Sequence, residues 1–171
     1  PKNIHVFNSK SASIGETLIG LKVQEFEEAG YSFEEVVSKV EKHIKSMHTF
    51  FVLDTLETFV KTGRISSLKA GIVSTLNIKP IMASTHEGAI YNAGQGRGSK
   101  GAISKMIEKV INATSNPEDK VIAISHCNCP ERADFAKKRL EMLGNFKDII
   151  VVNMSGLSSM YANQGGVIVA V

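Results

Sequence analysis

The chain has 171 residues, of which 43% are hydrophobic and 22% are charged, and its formal net charge at pH 7 is +3. These proportions are those of a globular domain with a real core, and they exclude a disordered chain. The net charge is too small to favour a nucleic-acid partner, and no apolar run is long enough to span a bilayer.

The first part of the chain predicts one strand and two long helices. Residues Asn3 to Phe7 are expected to form a strand, and a helix should run from about Ser13 to Ala29. Ser32 and Glu35 have the spacing of a capping box that opens a second helix. The chain enters its first strand abruptly and without a Met, so we expect a fragment whose N-terminal portion precedes it. A domain boundary is expected at residues 45–48.

The rest of the chain alternates predicted strands and helices, which is typical of an α/β fold with a mostly covered sheet. Asp54 is expected to cap a short helix that Gly63 ends, and an apolar helix should follow Arg64. Two strands are expected to flank a turn at Glu87-Gly88, and Pro130 should begin a helix. The remaining predicted elements are strands at 49–53, 121–125, 149–152 and 167–171 and a helix at 102–113.

Arg64 lies in a break between two segments that both carry apolar faces. It has an ordinary explanation, because a cation at a helix C-terminus can bond free carbonyls. The functional interpretation is that the guanidinium meets an anion from outside the fold. A carboxylate suits it, because the planar fork makes two charge-assisted hydrogen bonds.

His126 ends a predicted strand in the segment ISHCNCPERA, directly before the predicted helix at Pro130. Ligands of α/β proteins tend to bind at the carboxyl ends of strands, and a helix N-terminus favours a negative group. A structural histidine bonded to a backbone carbonyl is the alternative. Cys127 and Cys129 are too close for a normal bridge and indicate a reduced, cytoplasmic protein. With His126 they provide three clustered ligands where structural zinc takes four, so no metal is expected.

The segment GQGRGSKG, residues 94–101, matches neither common phosphate-binding pattern. A flexible loop before a helix is the interpretation that we favour, and the functional alternative is a docking surface for a partner that carries Arg97 and Lys100. We find neither a nucleophile elbow nor a pair of carboxylates placed for acid–base chemistry. The residues by themselves therefore indicate an α/β domain that binds a carboxylate.

The segment FVLDTLETFVKTGRISSLKAGIVSTLNIKPIM, residues 51–82, resembles the DegV family, which has G-R-I, then a helix, then L-N-I-K-P-I. The stretch VFNSKSASIGETLIGLKVQE, from Val6, and the stretch ISHCNCPERA are similar to other parts of that family. The resemblance extends over essentially the whole chain. It implies a two-lobed α/β protein, here with residues 1–46 as a remnant of the N-terminal lobe and 47–171 as the C-terminal lipid-binding lobe.

The resemblance also implies a function. Family members hold a long-chain fatty acid between their lobes, and some are the binding subunits of bacterial fatty acid kinase, in which a separate subunit phosphorylates the bound acid. Arg64 and His126 match the family residues near the ligand carboxylate. The acyl chain would lie against apolar neighbours, namely Leu68, Ile72, Leu76 and Ile81. The chain itself would be non-catalytic, without cofactor or metal.

The implied partners are the fatty acid, the kinase subunit and the missing N-terminal lobe, and such a ligand is compatible with peripheral membrane contact. The family's other carboxylate contacts, a Thr and a Ser, belong to the N-terminal lobe. One departure is the turn at residues 161–165, which reads YANQG where the family commonly shows H-T-G-P-G. Two alternative functions remain: an enzyme or regulator that binds a phosphorylated small molecule on Arg64, Arg97 and Lys100, and a structural interaction module with a vestigial pocket.

Overall fold

The computed structural model describes residues 3–65 and 77–171, and within them the chain forms a mixed α/β fold. The helices are α1 (Ile14–Glu28), α2 (Phe33–Ser46), α3 (Glu57–Lys61), α4 (Gly98–Ala113), α5 (Pro130–Leu143) and α6 (Gly156–Ala162). The strands are β1 (Thr49–Val52), β2 (Ile78–Ser84), β3 (Ile90–Arg97), β4 (Val121–His126), β5 (Asp148–Asn153) and β6 (Val167–Ala170). A 3-10 turn, Pro117–Asp119, precedes β4.

The six strands form one sheet in the order β3-β2-β1-β6-β4-β5. Neighbouring strands are antiparallel except β4 and β5, which are parallel and joined by α5. All four residues of β1 are buried, as expected for a central strand covered on both faces. His126 and Asn153 are paired at the carboxyl ends of the two parallel strands, which is the edge where the sequence places the candidate site.

One face of the sheet is covered by α4 and α5. The buried cluster here contains alternate residues of the strands together with the apolar stripes of both helices. Its strand residues are Phe50, Val52, Ile81, Ala83, Ile122, Ile124, Val167 and Val169. This layer holds β4 and the start of α5 in fixed relation, so the loop between them, which follows His126, has a rigid base.

The opposite face carries two separate clusters. In one, α1 and α2 pack over the sheet and share a buried core with Ala123 and Ala170. The other, here named the α3–α6 cluster, joins the segment around α3 to α6 across β1, β2 and β6. Its buried residues are Phe51, Leu53, Leu56, Ile65, Met82, Met154 and Ala162, with Phe59, Val60, Ile90, Cys127 and Ile168 packed against them. The division of the chain at residues 46 and 47 into two lobes stays a prediction.

The predicted α/β class and most of the local signals are confirmed. Ser32 and Glu35 form both hydrogen bonds of a capping box at the start of α2. Pro130 occupies the first turn of α5, where its missing N–H costs nothing. Gly63, with φ of 72°, follows the end of α3 in the left-handed conformation that a glycine stop requires. These features depend on residues close together in the chain, which is why they were predictable.

The predicted strand at Asn3 to Phe7 is wrong, because these residues have no strand conformation and no sheet partner among the described residues. Two of its apolar side chains, Ile4 and Val6, are 66% and 85% exposed. A strand needs a neighbour to satisfy its backbone groups, and alternation of residue types does not supply one. Asp54 does not cap α3 either, since Leu56 occupies that position and the Asp54 carboxylate bonds elsewhere.

The predicted loop at residues 94–101 is also wrong. β3 continues to Arg97, paired with Ile78 of β2, and α4 begins at once with Gly98. Gly96 in this segment is required for packing. A Cβ on Gly96 would lie 2.7 Å or less from three backbone atoms of α4, so only glycine lets the helix approach the strand this closely.

Within residues 3–65 and 77–171, no helix combines the length and the apolar character that crossing a membrane would require.

Candidate functional site

Arg64 follows α3 with an exposed side chain. Its backbone N–H donates to the carbonyl oxygen of Phe59 at 2.9 Å, which continues the turn after the helix. Its Nη1 donates to the carbonyl oxygen of Thr62 at 3.5 Å, the long limit for such a bond. This contact matches the ordinary explanation of a cation near a helix C-terminus. This hydrogen bond is weak, however, and it uses one nitrogen of a guanidinium group that has five N–H donors.

His126 is the last residue of β4, and it is 8% exposed. Its carbonyl oxygen accepts from the N–H of Met154 at 2.8 Å, and its Nδ1 accepts from the N–H of Cys129 at 3.3 Å. A ring nitrogen that accepts carries no proton, so the neutral imidazole has its proton on Nε2. The alternative explanation of His126 expected its ring to bond a backbone carbonyl, but the ring bonds a backbone N–H instead. The arrangement leaves Nε2–H as the donor that His126 can offer to a ligand.

Both residues are chain neighbours of residues in the α3–α6 cluster. Ile65, next to Arg64, is one of its buried members, and Cys127, next to His126, packs against it. Inside the cluster Phe59 stacks on Phe51 with ring centroids 5.6 Å apart and meets Tyr161 edge-on at 5.0 Å. The chain neighbours of Arg64 and His126 therefore meet in one apolar region, reached from two distant parts of the chain, while the His126 ring itself lies against the Cys129 N–H at the start of α5.

The residues expected to line an acyl pocket are only partly described. Leu68, Ile72 and Leu76 lie outside the described residues. Ile81 is fully buried on the α4–α5 face, while its strand neighbour Met82 lies in the α3–α6 cluster. The role of Ile81 in a pocket stays a prediction, and Met82 is the residue of β2 that borders the candidate site.

Arg97 and Lys100 belong to a different part of the surface. Both are exposed, Arg97 at the end of β3 and Lys100 in the first turn of α4. The Nζ of Lys100 lies 5.9 Å from the ring centroid of Phe135 on α5, within the range of a cation–π contact. Among the described hydrogen bonds and ion pairs, none connects either residue with Arg64. Their role as a docking surface stays a prediction.

Cys127 and Cys129 are free thiols, as their spacing suggests. Burial raises the pKa of the Cys129 thiol above its ordinary value, so this thiol stays protonated and donates to the carbonyl oxygen of Gly166 at 3.5 Å. In the described part of the chain, no group of three or more His, Cys, Asp or Glu side chains is arranged to hold a metal ion. Elemental analysis of the purified protein is the measurement that tests the expected absence of zinc.

One charged residue next to the site was missed in the sequence. Arg132 lies in the first turn of α5, six residues after His126, and bonds to Asp54 and to the carbonyl oxygen of Gly165. A signal for it existed, because the first turn of a helix disfavours a cation unless a specific partner compensates. The apolar residues Phe59, Met82 and Met154 had no such signal.

Fold and site together define a mixed α/β protein with an apolar cluster beside the carboxyl end of a parallel strand pair, and an arginine and a buried histidine are next in the chain to two residues of that cluster. A family model described as "Uncharacterised protein, DegV family" matches residues 1–171. The chain belongs to the DegV family. A DegV domain-containing protein of Streptococcus pyogenes serotype M1 is 31% identical over 166 residues, which is 97% of this chain and 59% of that protein.

Solved structures match as well. A DegV family protein of Ruminococcus gnavus, whose structure is described with vaccenic acid, is 49% identical with a TM-score of 0.94 and covers 98% of this chain. The Fatty Acid Kinase (Fak) B3 protein of Streptococcus pneumoniae, described as loaded with linoleic acid, is 28% identical with a TM-score of 0.85 over 98% of this chain. The chain covers 60% and 59% of those two proteins, respectively.

Proposed function

We propose that this protein binds a long-chain fatty acid and presents its carboxylate to a separate kinase subunit, which forms an acyl phosphate. The observation that supports the proposal is that Arg64 and His126 are each next in the chain to a residue of the α3–α6 cluster, namely Ile65 and Cys127. An apolar region next to two polar donors is what an amphiphile with one anionic end requires. The fatty acids named for the Ruminococcus and Streptococcus proteins support this choice of ligand.

In this proposal the acyl tail supplies most of the affinity. Each buried methylene contributes about 0.8 kcal/mol, so ~14 of them contribute on the order of 10 kcal/mol. The two donors supply orientation. The Arg64 fork and the His126 Nε2–H would each hold a carboxylate oxygen, which leaves the carboxylate fixed for attack on a phosphoryl group. The chain would be a non-catalytic binding subunit, and its kinase partner is suggested by the Fak B3 relative.

The first experiment is mass spectrometry of lipid extracted from the intact purified protein. A stoichiometric fatty acid is the expected result. Extraction of a phosphorylated small molecule, or of no ligand from protein that also fails to take up added fatty acid, would contradict the proposal and favour one of the alternative functions. Arg64 and His126 are then tested for their separate roles by substitution in the intact protein.

Arg64→Ala should cost roughly 1–3 kcal/mol of fatty-acid affinity, because a charge-assisted hydrogen bond is lost while the tail contacts remain. Acyl-phosphate formation with purified kinase should fall much further, since positioning a reacting group contributes several kcal/mol to lowering the barrier. Arg64→Lys should rescue it in part, because an ammonium lacks the planar fork. The matched control is Lys61→Ala, an exposed cation at the end of α3 that pairs with Glu57 at 2.6 Å.

His126→Ala should behave like Arg64→Ala, and His126→Gln should retain part of the turnover because an amide keeps a donor. His86→Gln, an exposed histidine in the β2–β3 turn, is the control. Occupancy by extraction and acyl-phosphate formation are measured side by side. Normal turnover at full occupancy in the Arg64 and His126 variants would mean that both residues are structural.

A further inference from the structure

The first observation concerns Asp54, which lies between β1 and α3. Its Oδ2 is 3.0 Å from Nη1 of Arg132 on α5, and its Oδ1 is 3.0 Å from Nζ of Lys79 on β2. Burial raises the pKa of the Asp54 carboxyl, but the hydrogen bonds and charges of Lys79 and Arg132 outweigh this and lower it below its ordinary value. The carboxylate therefore stays charged at neutral pH and joins three elements that are distant in the chain.

The second observation is what Arg132 does with the same nitrogen. Its Nη1 also donates to the carbonyl oxygen of Gly165, in the turn between α6 and β6. Gly165 has φ of 89°, and a Cβ at this position would collide with the Asp54 carboxylate and lie 2.6 Å from Nη1 of Arg132. The turn thus passes directly over the Asp54–Arg132 pair, and the pair fixes its position.

The third observation is that this turn holds the loop that follows His126. The N–H of Gly165 donates to the Cys127 carbonyl, and the N–H of Cys127 donates to the Gly166 carbonyl, both at 2.9 Å. The Cys129 thiol donates to the same Gly166 carbonyl, and the Cys129 N–H donates to Nδ1 of His126. An unbroken series of contacts therefore runs from Asp54 through Arg132 and the turn to the imidazole ring.

We infer that Asp54 and Arg132 are positioning residues for His126: by fixing the 163–166 turn they hold the Cys129 N–H against Nδ1, and so keep the imidazole proton on Nε2. Arg132 lies in the first turn of α5, where the helix dipole disfavours a cation. Its position there therefore depends on its two partners, the Asp54 carboxylate and the Gly165 carbonyl oxygen. The use of the oriented Nε2–H for a fatty-acid carboxylate rests on the proposed function. The orientation itself does not, since it concerns only the chain's own atoms.

The test is nitrogen NMR of the intact, ligand-free protein labelled at histidine, with the His126 signals assigned from a His126→Gln spectrum. At a pH where the ring is neutral, the wild-type protein should show Nε2 protonated and Nδ1 unprotonated. Arg132→Gln and Asp54→Asn should both shift His126 towards a mixture of tautomers, and the double variant should go little further because the two residues act as one unit. Arg132→Lys should restore part of the wild-type state.

Alkylation of Cys129 by iodoacetamide, located by fragment mass spectrometry, gives an independent measurement. Release of the turn should raise its rate about tenfold in Arg132→Gln, because a buried thiol reacts through local opening. The control is Lys138→Gln on the same helix, which removes an exposed pair with Asp134 at 2.7 Å. This variant should match the wild type in both measurements.

A folded Arg132→Gln variant with the wild-type tautomer and the wild-type alkylation rate would overturn the inference. If Arg132→Gln does not fold, Asp54→Asn, which keeps the side-chain shape, decides in its place by the same two measurements. Failure of the proposed function would be seen separately. The protein would then bind no fatty acid, although the His126 tautomer would still depend on Arg132.

Discussion

The histidine most affected by its surroundings is His43 on α2, and its titration leads to a quantitative prediction. Burial, followed by the positive charges of Lys22 and Lys120, lowers the pKa of His43 from 6.5 to about 4. Its Nε2 is buried and has no hydrogen-bond partner among the described residues. The charged groups that line the same groove are Lys22, Glu25, Lys39, Lys42, Asp119, Lys120 and Asp148.

The direction of the effect follows from proton binding. Between pH 6.5 and 4 the unfolded chain protonates His43 while the folded protein keeps it neutral, so the free energy of unfolding falls as the pH is lowered. From pH 7 to pH 5 the full linkage amounts to ~2 kcal/mol, and solvent screening of this partly exposed group reduces it to about 1 kcal/mol. That corresponds to roughly 2–4 °C in Tm for a domain of this size.

The assay compares Tm at pH 7 and pH 5 for the wild type, His43→Leu and His43→Phe. This range avoids Asp54 and Glu25, whose pKa values are lowered and whose contribution is lost only at more acidic pH. Between pH 7 and pH 5, the Tm of both variants should fall by about 2–4 °C less than the Tm of the wild type. The control, Lys138→Gln, removes an exposed ion pair on α5 and should keep the wild-type difference. An equal pH dependence in the wild type and both His43 variants would refute the argument.

Two other predictions concern α4. Gly96→Ala should lower the free energy of unfolding by about 3 kcal/mol, because its Cβ would overlap the helix backbone, whereas Gly101→Ala has open space and should be neutral or stabilising by ~0.5 kcal/mol. Urea unfolding measures both, and equal stability of the two variants would show that the close approach is not required. The double change Arg97→Ala, Lys100→Ala should slow association with the kinase at low salt and leave lipid binding intact, since rim charges mainly set association rates. Stopped-flow kinetics beside Lys138→Ala is the measurement, and unchanged association would remove the docking proposal.

Local signals determined a large part of the fold. The capping box of α2, the proline that opens α5 and the glycine after α3 each depend on residues within a few positions of one another, so the sequence predicts them directly. The α/β class followed from the alternation of these elements. The G-R-I arginine and the histidine before C-N-C-P were also visible, because unusual residue types stood at predicted element ends. α6 was missed, because its seven residues carry no proline, capping side chain or acidic first turn that marks a helix start.

Tertiary structure decided the features that depend on distant partners. Asn3 to Phe7 alternates like a strand, yet strand formation needs a neighbour that periodicity cannot identify. Ile81 and Met82 lie on opposite faces, as successive strand residues do, and only the packing of helices on each face decides which of them borders the candidate site. Asp54 looked like a helix cap and became the partner of Arg132, 78 positions away. A carboxylate takes the strongest donors that folding brings near it, and those donors are determined by the packing of the sheet and α5 rather than by the neighbouring residues in the chain.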